Sequence, residues 1–157
     1  MNPSTAKQLL QLLAMLHILV GLTLPWLVEW PPFGFYNRHL LAAFNTDMPE
    51  ALALGKFMIG ILGPTVASWG LLFLFVVTIS FTTRSRRGWY CMVVAVTGWS
   101  LFDMYLSIRA GVWLNLLIDL IVLSVLLIPL VRTRHWFFDT PAASPGNGTD
   151  TLGDPVP

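Results

Sequence analysis

Two aspartates inside apolar stretches are the residues of this 157-residue sequence best placed to do chemistry. Asp103 stands in the apolar run Trp89–Ile108, and Asp119 stands in the run Val112–Val131. A carboxylate at the centre of a membrane costs about 2.5–3.5 kcal/mol on insertion scales, so such residues face a protein interior, a watery crevice or each other. We therefore expect both carboxyls to face a shared buried site.

The neighbours of these aspartates predict a polar patch. Asn115 lies one helical turn before Asp119, and Ser107 lies one turn after Asp103. With a turn near Ala110, the aspartates lie roughly 10 and 14 Å from it, at similar depth in an antiparallel hairpin. Two carboxyls in a dry site do not both stay ionised cheaply, unless a cation pairs with one of them.

His17 is the candidate cation closest to the middle of the membrane. It would reach Asp119 if the first and last apolar runs are neighbours, although a lone membrane histidine is also a common helix-packing donor. Arg109, Arg38 and Lys56 are further candidates nearer the interface. No two histidines have a spacing of three or four residues, so we predict neither a bis-histidine haem nor a metal site.

Three interpretations of the polar patch compete. It is hydrogen-bonding glue between helices, a small-molecule or quinone-headgroup site that opens outward, or a proton or ion relay. A relay needs a continuous path, and the inner halves of the apolar runs contain no acidic residue.

Composition places these residues in a membrane. Hydrophobic residues make up 55% of the chain and charged residues only 11%, against about 25% charged in a soluble domain. Mean hydropathy is +0.70. A net charge of +1 leaves no broad basic face for nucleic acid. The single cysteine, Cys91, excludes an intramolecular disulfide and a cysteine-based zinc or iron–sulfur site within one chain.

Four apolar runs reach the roughly 20 residues that a membrane-spanning helix needs. They are Leu9–Val28, Phe57–Phe81, Trp89–Ile108 and Val112–Val131. The sequence therefore predicts an all-α, integral membrane, antiparallel four-helix bundle over residues 1–138, with an outer loop between the first two helices. The Pro-, Gly- and Ser-rich residues 139–157 predict a disordered tail.

The distribution of lysine and arginine predicts the orientation. Three arginines stand in the short turn between the second and third runs, at positions 84, 86 and 87. Together with Lys7, Arg132 and Arg134 they place six of the nine cations on one side, which the positive-inside rule assigns to the cytoplasm. Both termini are then cytoplasmic, and so is the tail.

Sequence patterns also predict details of the outer loop. Asp47, Pro49 and Glu50 resemble a capping box, so the second helix should begin near Met48. We expect the segment 37–39, Asn-Arg-His, to be solvated rather than to cap the polar patch.

A stripe of small residues marks one face of the second helix and predicts close helix packing. Its members are Gly60, Gly63, Ala67 and Gly70.

Four segments of the sequence resemble small four-span bacterial membrane proteins of the BphX/DoxX-like kind. They are Gly63–Gly70, Arg84–Trp89, Trp99–Asn115 and Pro129–Phe137. The resemblance covers roughly residues 9–137 and implies an antiparallel four-helix bundle in a bacterial inner membrane. DoxX relatives are associated with quinone-linked sulfur oxidation or membrane redox complexes, whereas the BphX-like group has no settled activity. No catalytic residue carries over from the resemblance.

We therefore expect a non-catalytic accessory or scaffold subunit that works with the lipid bilayer and with other membrane proteins. It would bind no metal and no nucleic acid. One alternative is a quinone-linked redox accessory protein whose polar intramembrane site comprises Asp103, Asn115, Asp119, His17 and Ser107. A second alternative is a small transporter or channel subunit.

Overall fold

The computed structural model describes residues 1–46 and 48–139 of the chain. Helices make up 89% of these residues, which include no strand, so the described chain is all-helical. The helices are α1 (Pro3–Leu27), α2 (Gly34–Ala43), α3 (Pro49–Thr83), α4 (Arg86–Ala110), α5 (Trp113–Arg132) and α6 (Arg134–Phe138), with a 3₁₀ turn at Pro31–Phe33.

Four of these helices, α1, α3, α4 and α5, are long and apolar enough to cross a membrane. They contain the four apolar runs almost entirely, so the prediction of four long apolar helices is confirmed. Helix α3 begins eight residues before its apolar run, at Pro49. Met48 precedes its first turn with extended backbone. The predicted cap residue Asp47 and the predicted disordered segment from residue 140 onward lie outside the described residues.

Short sequences end and restart the helices. Arg84, in the left-handed region at φ 49°, ends α3, and the side chain of Ser85 then caps α4 by accepting a hydrogen bond from the Gly88 amide at 3.1 Å. Gly111, at φ 72°, ends α4. Glycine populates this conformation without a steric penalty. The turns between α3, α4 and α5 are therefore only a few residues long.

Helices α1 and α3 pack closely because glycines face each other. A Cβ added at Gly21 would lie 2.6 Å from the Gly63 carbonyl oxygen and 2.9 Å from the Cα of Ala67. A Cβ at Gly70 would lie 2.9 Å from the Ala14 carbonyl oxygen. The predicted close packing of the small-residue stripe is confirmed at these positions, whereas a Cβ at Gly60 would make only ordinary contact.

Each long helix packs mainly against two others. Helix α1 contacts α3 and α5, and α4 contacts the same two helices. The buried apolar core lies toward the end that contains the α3–α4 turn, where Leu10, Val77, Met92, Leu126 and Leu130 are almost fully buried. The half toward the α4–α5 turn buries polar side chains instead.

The segment between α1 and α3 is folded against the long helices, so the expectation that segment 37–39 is solvated is wrong for two of its three residues. Asn37 is buried, and its Nδ2 donates to the Val28 carbonyl at 3.4 Å. The Leu114 amide donates to His39 Nε2 at 3.4 Å. That amide belongs to the first turn of α5, where backbone donors have no partner within the helix. Docking of α2 therefore satisfies a group that the helix itself leaves open.

Two arginines of the α3–α4 turn hold the short helix α6. Arg86 donates from Nε to the Phe137 carbonyl at 3.3 Å and from an Nη to the Phe138 carbonyl at 3.0 Å. The Arg84 guanidinium lies 3.6 Å from the ring centroid of Trp136, a cation–π contact. These side chains therefore hold α6 against the turn.

Candidate functional site

The structure brings four of the predicted polar residues together where α4 meets α5. We call them the carboxyl cluster: Asp103, Ser107, Asn115 and Asp119. Asn115 Nδ2 donates to Ser107 Oγ at 2.7 Å and to Asp119 Oδ2 at 3.4 Å. The Asp103 carboxyl lies near that of Asp119. Asp119 is only 2% exposed, so this carboxyl faces the protein interior.

The α4–α5 turn sets the geometry of the cluster. The Gly111 amide donates to the Ile108 carbonyl at 3.2 Å, and the Val112 amide donates to the Ser107 carbonyl at 2.9 Å. This hydrogen-bonded turn starts α5 directly after α4. The Asn115 side chain then reaches Ser107 across the turn, and Asp119 follows one helical turn further along α5.

Tyr36 of α2 is a neighbour of the cluster that the sequence did not reveal. Burial raises the pKa of the Tyr36 phenol, and the nearby carboxyls of Asp103 and Asp119 raise it further. Tyr36 therefore lies close to both carboxyls, and its ring is 5.3 Å from that of Phe33. The only sequence signal was the aromatic and proline-rich character of the loop, which gives no register for a side chain.

A cavity of about 420 Å³ lies beside the cluster, and Asp103 belongs to both. Its size falls in the range of small-molecule sites, about 300–1,000 Å³. The walls come from α1, α3 and α4: His17, Leu62, Thr65, Val66, Trp69, Trp99, Phe102, Asp103 and Leu106. The rings of Trp69 and Trp99 lie 6.0 Å apart, so aromatic faces form much of the wall.

His17 contributes to this cavity and does not pair with Asp119. Its Nδ1 lies 2.8 Å from the Leu13 carbonyl oxygen, which can only accept, so Nδ1 carries a proton and donates. Its ring lies 5.0 Å from that of Trp69. Although α1 and α5 are neighbours, the described residues show no hydrogen bond between His17 and Asp119. The hypothesis of a contact between them is therefore not supported, and His17 relates to the cluster through the cavity that it shares with Asp103.

The other candidate cations also lie apart from the cluster. Lys56 pairs with Glu29 at 2.6 Å, the one ion pair within residues 1–46 and 48–139. Arg109 is exposed, and its Nη1 donates to the Tyr105 hydroxyl at 3.4 Å. The carboxyl cluster has no ion-pair partner among the described residues. The carboxyl cluster therefore places the amide donor of Asn115 and the carboxyl acceptors of Asp103 and Asp119 next to an aromatic cavity.

Metal-binding geometry is not found in the part of the chain that the structure describes. No group of three or more His, Cys, Asp or Glu side chains is placed to hold a metal ion there.

Comparisons with protein-family models, with curated proteins and with solved structures give no match for this chain. The resemblance to BphX/DoxX-like proteins therefore stays a prediction, and the function has to be argued from the geometry.

Proposed function

We propose that this chain is a multi-pass protein of a bacterial inner membrane. In this proposal α1, α3, α4 and α5 cross the bilayer as an antiparallel bundle, both termini are cytoplasmic, and α2 lies on the outer side. Exposed apolar side chains support it, because Leu72 and Phe102 are each 66% exposed and large contiguous apolar surfaces are rare on soluble monomers. The arginine-rich α3–α4 turn supports the orientation.

Cysteine labelling tests this topology. In a Cys91→Ser background, Arg109→Cys marks the α4–α5 turn and Arg87→Cys marks the α3–α4 turn. We expect a membrane-impermeant maleimide to label the first variant in intact spheroplasts and the second only in inverted vesicles. The reverse pattern would overturn the orientation, and labelling of both variants from one side would overturn the crossing of α4.

Within this bundle we propose an accessory protein that binds a small amphipathic molecule with a flat, hydrogen-bonding headgroup. The observation that carries the proposal is the position of Asp103, which lines the aromatic cavity and also lies near Asp119, the buried member of the carboxyl cluster. A pure scaffold requires only that polar groups hold helices together. A carboxyl shared between the cluster and an aromatic cavity favours ligand binding over the scaffold interpretation.

The residues around the cavity suit a quinone headgroup. Trp69 and Trp99 offer rings for stacking, the Asp103 carboxyl would donate to a ring carbonyl oxygen in its protonated form, and His17 Nε2, which is free of the bond to Leu13, would accept from a quinol hydroxyl. A bound quinone would supply electron-carrier chemistry. The residues of this chain would bind and orient the headgroup, exclude water and hold a proton at the Asp103 carboxyl. We assign no catalytic residue, because the described cavity has no activated nucleophile.

Tryptophan fluorescence tests this function, since two tryptophans line the cavity. A short-chain ubiquinone analogue is titrated into the purified full-length chain in mild detergent. We expect saturable quenching, and we expect Asp103→Leu, which has no donor, to weaken binding about tenfold, the effect of losing about 1.4 kcal/mol with one hydrogen bond. Asp139→Leu, remote from the cavity, is the matched control.

The result separates the two leading interpretations. Absence of saturable quenching, or equal affinity in Asp103→Leu and Asp139→Leu, would overturn the proposal. If Asp103→Asn and Asp119→Asn then lose only thermal stability, the cluster is hydrogen-bonding glue and the scaffold interpretation takes its place.

A further inference from the structure

We propose a second ligand site, which holds one phosphatidylglycerol molecule beneath α2, with the headgroup in a small pocket lined by both charged and apolar side chains and an acyl chain in an adjoining groove. This site lies between the end of α1, α2 and the start of α3. It rests on the membrane placement proposed above, and it is independent of the cavity at Asp103.

Asn37, a buried residue with an unpartnered oxygen, is among the residues that line the headgroup pocket. The pocket has a volume of about 280 Å³. Asn37 is 6% exposed, and its Oδ1 accepts no hydrogen bond from any residue that the structure describes. Leaving a buried acceptor unsatisfied costs about 1–3 kcal/mol. A ligand that brings a hydroxyl donor to this oxygen removes that cost.

The charges of the pocket fit one phosphodiester. Glu29, Lys56 and Arg38 all line it. Glu29 and Lys56 neutralise each other as an ion pair at 2.6 Å, whereas Arg38 has no carboxylate partner among the described residues. The pocket therefore carries one uncompensated positive charge on a guanidinium, a group well suited to phosphate oxygens.

An apolar groove continues from the headgroup pocket along α1 and α3. It has a volume of about 650 Å³ and runs toward Pro64, with Phe57, Gly60 and Ile61 among its walls. The groove and the pocket have four lining residues in common: Val28, Glu29, Leu52 and Lys56. A molecule with an anionic head and a hydrocarbon tail can therefore occupy both at once.

A ligand for this site needs a hydroxyl donor for Asn37, one negative charge for Arg38 and a hydrocarbon chain for the groove. Phosphatidylglycerol has all three, in its headgroup hydroxyls, its phosphodiester and its acyl chains. Phosphatidylethanolamine has a donor but no net charge. Phosphatidylcholine has neither a donor nor a net charge. The three lipids therefore separate the contribution of charge from that of hydrogen bonding.

Native mass spectrometry tests the site on the full-length chain in mild detergent. The protein is incubated with equal amounts of the palmitoyl-oleoyl forms of the three lipids, and the bound fraction of each is measured. We expect phosphatidylglycerol to be retained preferentially. Arg38→Gln should weaken its retention about fivefold, the effect of about 1 kcal/mol for one basic contact to an anionic lipid. Arg109→Gln lines neither cavity and should have no effect.

A second pair of variants tests the groove. Ala53 is exposed and lines the groove, so Ala53→Trp should block the acyl chain and lower retention. Ala95→Trp, at an exposed position on α4, is the control and should retain the lipid. Equal retention of all three lipids, retention of phosphatidylethanolamine equal to that of phosphatidylglycerol, or equal behaviour within either variant pair would overturn the proposal.

Failure of this site and failure of the membrane placement give different results. If Arg109→Cys is labelled from outside and phosphatidylglycerol is not preferred, only the lipid site is wrong. If the labelling pattern contradicts the topology, the membrane placement on which this proposal rests is wrong as well.

Discussion

The contact between α1 and α3 should depend on the absence of a single methyl group at Gly21. In Gly21→Ala the new Cβ would lie 2.6 Å from the Gly63 carbonyl oxygen and 2.9 Å from the Cα of Ala67. Both neighbours are backbone atoms, so no side-chain rotation relieves the overlap. The two helices have to separate.

The distance by which α1 and α3 have to separate determines how much stability Gly21→Ala loses. Moving the carbonyl oxygen from 2.6 Å to an ordinary contact of 3.4 Å takes about 0.8 Å, a gap that forfeits about a quarter to a half of the dispersion energy of the flanking contacts. Overpacking of this kind costs about 1–3 kcal/mol. Alanine also gains up to about 1 kcal/mol over glycine in a helix interior, and this gain has to be removed by a control.

Gly98→Ala supplies that control, because a Cβ at Gly98 meets nothing within 4 Å. The propensity gain is then common to both variants, and we expect Gly21→Ala to be less stable than Gly98→Ala by about 1–3 kcal/mol. Equilibrium unfolding in mixed micelles of rising dodecyl sulfate fraction, followed by helical circular dichroism, measures the difference. Equal midpoints for the two variants would refute the glycine-dependent contact.

Three other results follow from individual side-chain contacts and environments. Trp89→Phe removes the hydrogen bond from the indole Nε1 to the Leu130 carbonyl, 2.9 Å long and buried, and should lower the free energy of unfolding by about 1–3 kcal/mol; chemical denaturation measures it. Ser85→Ala removes the cap on the Gly88 amide and should cost about 1 kcal/mol, with Ser4→Ala as a control at a position that is not the N-cap. Because the pKa of the Tyr36 phenol is raised in the folded state, the stability that depends on the neutral phenol should be fully present below the ordinary tyrosine pKa and be lost as pH rises through the folded-state pKa. The tyrosinate absorbance of the parent minus that of Tyr36→Phe isolates the ionisation of Tyr36. We expect this difference to appear above the ordinary tyrosine pKa, and a transition within the ordinary tyrosine range would contradict the expectation.

Regular features of the fold were predictable because they depend on composition and spacing along one segment. Long apolar runs have to form helices in lipid to satisfy their backbone groups, and the four runs do form helices. The proximity of Asp103 to Asp119 agrees with a turn near Ala110 and with similar distances of the two residues from it. The small-residue stripe likewise indicated a close helix contact before its partner, Gly21, was known.

The features that were missed depend on contacts between distant segments. Helix α2 has only 10 residues, too short to be stable alone, and its docking depends on His39 meeting the first turn of α5. Helix α6 depends in the same way on Arg86, 51 positions before Phe137. The aromatic cavity requires Trp69 and Trp99 to come together from two helices, which no local pattern specifies.

The arginines at the α3–α4 turn belong both to the charge pattern that predicts orientation and to the contacts that hold α6. Experiments that invert a membrane protein move its basic residues to the opposite loops. Here the residues to be moved include the two arginines that hold α6, so replacing Arg84 and Arg86 with neutral side chains would also release the aromatic segment that follows the last long helix. In the orientation proposed above, reversing the insertion of this chain would therefore require changes at Arg87 or Arg132 or added lysines, with Arg84 and Arg86 left in place.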